Sequence, residues 1–295
     1  MARKGKQANI SSTFERIRYE NPAPHIARVV LARPEQRNAQ DRKMLYEIDR
    51  AFRIAVADND IKVIIISADG PHYSSGHDLN DRADLNDFDT VSLWGGFDEE
   101  GQAGMMNGEE EIYLGFCWRW RNLPKPTIAQ VHGKVIAGGL MLVWPFDIVV
   151  ASEDATFSDP VVAFGVNGHE FFTHTWELGA RKAKEMLFTG AAFSAQECHQ
   201  LGMVNLVVPR SDLETATLEL AERIAKRPAI GLRLAKMAVN QSLDAQGQWT
   251  AVQAAFALHH VGHANARSKY GYPVEPAGAE LIRDDAKGRK ARSEH

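Results

Sequence analysis

Cysteine is scarce: two residues in 295, Cys117 and Cys198, with no Cys-x-x-Cys pair. That excludes a disulfide framework and a thiolate metal cage. Both thiols are expected to be buried and reduced, as in a cytoplasmic protein. Long apolar runs are missing as well. No stretch approaches the ~20 residues that span a bilayer. The basic start Met1-Ala2-Arg3-Lys4-Gly5-Lys6 leads into polar residues, which argues against a signal peptide. An excess of one charge is also absent: 34 Lys and Arg face 38 Asp and Glu, a net charge of −4. Neither nucleic acid nor an anionic membrane is therefore expected as a partner. Gly-x-Gly-x-x-Gly, a P-loop, His-Glu-x-x-His and Gly-x-Ser-x-Gly do not occur. No dinucleotide, nucleoside triphosphate, zinc-peptidase or serine-hydrolase chemistry is implied.

What is present is an ordinary globular composition, 44% hydrophobic and 24% charged. Two glycine turns stand out: Ser74-Ser75-Gly76-His77-Asp78 and Ile136-Ala137-Gly138-Gly139-Leu140. Each follows an apolar, β-branched run. Glycine lets the backbone turn sharply and lets a ligand reach peptide N–H groups unobstructed. Two such turns brought together hold a developing negative oxygen between two N–H donors, an oxyanion hole suited to acyl chemistry.

The rest of the pattern is α/β and then helical. Residues 13–32 read as two strands around Asn21-Pro22-Ala23-Pro24. Leu45, Ile48, Phe52 and Val56 predict a helix over 42–57, and Lys62 to Ser67 a strand covered on both faces. Residues 79–107 read as a long loop with one helical turn, and 109–122 as a helix. Thr127 to His132 and Asp147 to Ala151 read as strands. A helix is expected from Gly138 to near Pro145. Ser194 to Glu197 and Ser211 to Glu214 read as capping boxes. Helices follow at 212–226, 229–243 and 248–263, then a charged tail that is disordered or packs on a neighbour. The divisions are 12–209, 210–265 and 266–295.

Several dispersed motifs in order resemble the crotonase family of enoyl-CoA hydratases and isomerases. They are Arg33-Pro34-Glu35-Gln36-Arg37-Asn38-Ala39, Ser74 to Leu79, Gly133 to Gly139, Asp147 to Pro160, and Ala180 to Pro209. The resemblance implies a spiral of ββα units with a helical C-terminal trimerisation region, assembled as a homotrimer or homohexamer. It implies an acyl-CoA thioester as substrate, and no cofactor beyond the coenzyme A that the substrate carries. It assigns the oxyanion donors to the N–H groups of His77 and Gly138. Arg33, Arg37, Ala39, Ser75 and Asp78 fall where substrate is bound.

The two glutamates of a typical hydratase are replaced by Met141 and Val161. With Trp144, these put apolar surface where the family has polar surface, which suits a bulky acyl group. By placement, Glu170 resembles the lone glutamate of certain family isomerases, and His169 stands where some relatives carry an aspartate. Glu170 is thus the expected acid/base for hydration or double-bond migration, with an exposed loop residue as the competing reading. His169 is the alternative base or a hydrogen-bonding neighbour, and Asp78 a turn former. A catalytically silent acyl-CoA-binding protein, or a thioester hydrolase or dehalogenase on the same scaffold, is the alternative. His259, His260 and His263 share a predicted helix. With no carboxylate or cysteine ligand nearby in sequence they give only a weak zinc signal, and no metal is expected.

Overall fold

The computed structural model describes residues 14–92 and 94–293. Strands β1 (Ile17–Ala23) and β2 (Ile26–Leu31) form a hairpin, and helix α1 (Arg42–Ala57) leads to β3 (Val63–Ala68). A helical run then comprises α2 (Gln102–Glu109), a π-helical stretch Glu110–Gly115 and α3 (Phe116–Arg121). Next come β4 (Thr127–Val131), β5 (Lys134–Ile136), β6 (Ile148–Ser152) and β7 (Thr156–Ser158). Helix α4 (His174–Thr189), β8 (Phe193–Ser194), α5 (Ala195–Gln200) and β9 (Leu206–Val208) follow. The chain closes with α6 (Leu213–Ala225), α7 (Ala229–Ala245), α8 (Gln248–Tyr270) and α9 (Gly278–Ser293).

Six strands make one sheet in the order β1-β2-β3-β4-β6-β9, parallel except for the β1–β2 pair; β5, β7 and β8 make a second, smaller sheet. The large sheet is apolar on both sides. Ile64 and Ile66 of β3 join Leu45, Ile48 and Phe52 of α1 in the main core. The alternate residues Val63 and Ile65 pack against Leu213, Ala221 and Ala225 of α6. The period-two alternation of strand side chains explains this sharing, and it is why β3 reads as a continuous apolar run. At the head of α1, Asp41 caps the helix by accepting from the Met44 N–H at 2.7 Å.

Several sequence expectations are corrected. The segment after Ile136 is a 3-10 turn over Ala137–Leu142, not an α-helix to Pro145. The expected loop at 79–107 gives way to helix at Gln102, because Gly104 and Gly108 let α2 lie close to the Glu99 carbonyl and to Leu85. The Ser194 capping box forms, but Ser211 does not cap α6; its hydroxyl turns to Asp212 instead. α8 runs to Tyr270, and the segment after it folds onto its own chain: the Glu275 N–H donates to the Phe164 carbonyl at 2.9 Å. Among the described residues no helix is long and apolar enough to cross a membrane.

Candidate active site

The two glycine turns meet. The Ser74 N–H donates to the Lys134 carbonyl and the Ile136 N–H to the Ser74 carbonyl, at 3.2 and 3.1 Å. Gln40, which the sequence reading passed over, brackets both turns. Its backbone N–H donates to the Gly76 carbonyl at 2.8 Å, and its side-chain amide donates to the Gly138 carbonyl at 2.8 Å. The Gly76 and Gly138 carbonyls are thus engaged, while among the described residues the N–H groups of His77 and Gly138 donate to none of the loop or turn carbonyls. Gly76 has φ +91°, and a Cβ on it would lie 2.9 Å from the Ile136 carbonyl oxygen, so glycine is required there. Gly138 is constrained from the other side: a Cβ would fall 2.4 to 2.8 Å from three atoms of the His77 ring.

The His77 imidazole lies between Gly138 and Tyr113, whose ring stacks on it at 3.9 Å. Its Nε2 is 3.1 Å from Glu170 Oε2. Glu170 is buried, at 5% exposure, which removes the exposed-loop reading. Burial alone raises a carboxyl, but the His77 charge and hydrogen bond, with His259 behind them, hold Glu170 well below the usual carboxylate range. Glu109 of α2 behaves oppositely: burial and the nearby Glu170 charge push it well above that range. Glu109 and Tyr113 form part of the wall of an open cleft of about 500 Å³ that also carries Arg42, Arg82 and Arg267. Among the described residues Arg82 donates to the backbone carbonyls of Leu79 and Asp81, and Arg267 to the Met105 sulfur. Asp84 and Asp98 line the same cleft.

Other expected site residues sit elsewhere. Arg33 is buried and already engaged: Asp78 at 3.0 Å, Asp41 at 3.1 Å and the Ala39 carbonyl at 2.7 Å. It braces the first turn and has no free face for a phosphate. Asp78 also accepts from the Asn80 N–H, the expected turn role. Arg37 is exposed, with φ +54°, and Ser75 is half-buried with its N–H on the Arg37 carbonyl. Met141 is buried in the core; Val161 opens a 3-10 turn and is partly exposed. His169 does not join Glu170. Its ring packs on Trp144 at 5.0 Å and His174 at 4.8 Å, with both ring nitrogens unpartnered. Burial, and then the His174 charge, depress it to about 3. Gln40, Glu109 and Tyr113 were missed because their signal is long-range; only the carboxylate run Glu109-Glu110-Glu111 marks the helix locally.

Two glycine turns held together beside a buried carboxylate, on an α/β body, are what a candidate site for carbonyl chemistry requires. The sequence model of enoyl-CoA hydratase/isomerase matches residues 23–273. The chain belongs to the enoyl-CoA hydratase/isomerase family. Mycobacterium tuberculosis EchA13, which bears the name of an enoyl-CoA hydratase, is 44% identical over 269 residues, 88% of this chain and 85% of its own. The human mitochondrial enoyl-CoA hydratase domain-containing protein 3 is 36% identical over 214 residues, 70% of this chain and 64% of its own. Among solved structures, a probable enoyl-CoA hydratase from Mycobacterium smegmatis is 48% identical with a TM-score of 0.79. The match covers 88% of this chain and 99% of that one. The fold is that of the crotonases, and the family acts on acyl-CoA thioesters.

Proposed function

We propose that this protein moves a double bond within an unsaturated acyl-CoA, with Glu170 carrying the proton. The observation behind it is the buried Glu170 carboxylate hydrogen-bonded to the ring of His77, the residue whose own peptide N–H is one oxyanion donor. The thioester oxygen accepts from the N–H groups of His77 and Gly138. Glu170, ionised in this surrounding, takes a proton from the carbon next to the thioester. The negative charge of the resulting dienolate rests on the oxygen between the donors, and the proton returns to the far carbon. One carboxylate suffices for this exchange. Met141 and Val161, where typical hydratases carry glutamates, leave no such pair to hold and split water. The Arg82 and Arg267 guanidinium groups suit the phosphates of the coenzyme.

Assays with 3-enoyl-CoA and crotonyl-CoA test the reading. Glu170→Gln is expected to lower isomerase kcat by at least ~10²-fold, the scale of one positioned acid/base, while calorimetry still detects thioester binding. Gly138→Ala, which drives a methyl into the His77 ring, is expected to lower kcat by ~10²-fold or more, the cost of one misplaced donor. Unchanged turnover in Glu170→Gln removes the assignment; binding without turnover on either substrate favours the silent-binder alternative.

We also infer a homotrimer or a hexamer of two trimers. Supporting it, Ile230, Leu234 and Met237 make an exposed apolar stripe on α7, and Leu258 and Val261 add to it on α8. The buried free thiols of Cys117 and Cys198 fit a cytoplasmic setting.

A further inference from the structure

The double-bond chemistry makes no use of the three histidines of α8, yet all are buried, at 3 to 5% exposure. His259 Nδ1 lies 2.8 Å from the Gly168 carbonyl, and His263 Nδ1 lies 2.6 Å from the Pro273 carbonyl. A carbonyl oxygen can only accept, so both Nδ1 atoms carry hydrogen. In the neutral rings both Nε2 atoms then hold bare lone pairs, and these atoms are 2.8 Å apart. Two lone pairs at that distance repel, so a positive centre is called for.

The carboxylates that the local sequence lacks arrive from elsewhere. Glu109 brings Oε2 to 3.8 Å from His259 Nε2 and Oε1 to 4.0 Å from His263 Nε2. Glu170 Oε1 stands 3.6 Å from His259 Nε2. One ligand atom from each of Glu109, His259 and His263 falls within a common span of 4.8 Å. Glu109 Oε2 is buried and has no hydrogen-bond partner. His260 completes the surround. The Gln102 amide donates to its Nδ1 at 2.7 Å, so its Nε2 carries the hydrogen, and that nitrogen stands 3.5 Å from Glu109 Oε2. Imidazoles tied by Nδ1–H to carbonyls, and a carboxylate faced by an outer donor, form the outer shell that metal ligands require.

We propose that Glu109, His259 and His263 bind one divalent transition-metal ion, its fourth position left to solvent as in three-ligand zinc sites. Two imidazoles and carboxylates without a thiolate suit zinc, or cobalt in its place, better than magnesium or calcium, which prefer oxygen ligands. Ligand atoms around a tetrahedral zinc lie about 3.3 Å apart at zinc–nitrogen distances of ~2.0–2.1 Å. The two imidazole nitrogens, 2.8 Å apart, need to open by about half an ångström, and a single Glu109 oxygen, now within 4.8 Å of both, needs to close by up to about 1.5 Å, a movement of one carboxylate rotamer. This proposal departs from the expectation of no metal, and it holds or falls apart from the acyl-CoA reading because metal retention is read without substrate.

The test uses the full chain, stripped with chelator and then titrated with zinc by calorimetry, with bound metal counted by mass spectrometry. One zinc per chain is expected. Cobalt in its place is expected to give the visible d–d bands of a four-coordinate ion. His263→Ala is expected to abolish those bands and to weaken zinc binding by more than the ~10–100-fold typical of losing an outer-shell partner. Glu109→Gln, which keeps shape and lets folding be checked by circular dichroism, is expected to weaken zinc at least ~10-fold. A folded wild-type chain that takes up no zinc and shows no cobalt bands would overturn the site. The short nitrogen contact would then belong to a proton shared by His259 and His263. Equal zinc affinity in wild type, His263→Ala and Glu109→Gln would also overturn it, as binding elsewhere.

Discussion

His169 has no hydrogen bond to either ring nitrogen and is enclosed by Trp144, His174 and the Asp159 carboxylate, with Glu170 and His77 close enough to act on its charge. Its folded-state value of about 3 lies below the ordinary 6.5, so between these pH values the unfolded chain binds a proton that the folded chain refuses. Stability from this group is complete above pH 6.5 and drains away as pH falls toward 3, by roughly 1.4 kcal/mol per unit at full effect. Asp159, held below its usual range by the His174 hydrogen bond against the pull of burial, adds a loss at still lower pH. His169→Phe keeps the packing but cannot take the proton. Urea unfolding from pH 7 to 4 is expected to show a shallower fall for the variant by about one bound proton; parallel curves would remove the claim. Histidine type alone did not tell how deeply this ring is buried, because that depends on which residues fold around it. The two turns at His77 and Gly138 were legible as turns, since a glycine turn is a local statement about backbone freedom. Gln40 was not, because its side chain reaches the second turn nearly a hundred positions further along the chain.

The helical run from Gln102 to Arg121 carries the site wall and pins the segment before it. Glu111 in the π-helical stretch is fully buried; it accepts from the N–H groups of Val91 and Ser92 at 2.8 and 3.0 Å and from the Tyr46 hydroxyl at 2.9 Å. Glu111→Ala strands three donors, the buried Tyr46 hydroxyl and two half-buried backbone N–H groups. At roughly 1–3 kcal/mol for a stranded group, a loss of at least ~2 kcal/mol is expected in chemical denaturation, with faster proteolytic cleavage across residues 79–101. Unchanged cleavage would show that the segment is held by other contacts. The start of this run was illegible for a physical reason: Gly104 and Gly108 weaken the helical signal, yet they are what close packing on Glu99 and Leu85 demands. β3 and α1, by contrast, were readable from periodicity alone, because local pattern and burial agree there.

For the whole molecule, the existence of the strands and the two-sided burial of β3 follow from apolar runs, while the order of strands in the sheet came only with the structure. The path of the segment after Asn265 does not, since little in its composition tells that Glu275 meets Phe164. The proposed assembly is expected to use the apolar stripe of α7. Leu234→Asp, at a position 56% exposed in the single chain, is expected to leave the fold intact and to shift the mass seen by light scattering from trimer or hexamer toward monomer. An unchanged mass would place the contact elsewhere. The π-helical stretch between α2 and α3 has a bearing on how such an enzyme diversifies. Each residue of an α-helix advances it by about 100°, and a π-bulge arises as one residue of slack. Deleting a single amino acid there would swing Glu109 off the cleft while every side chain kept its identity. The wall of this pocket is therefore set by a count of residues, and lineages that lose one codon in that stretch would change specificity with no substitution to betray it.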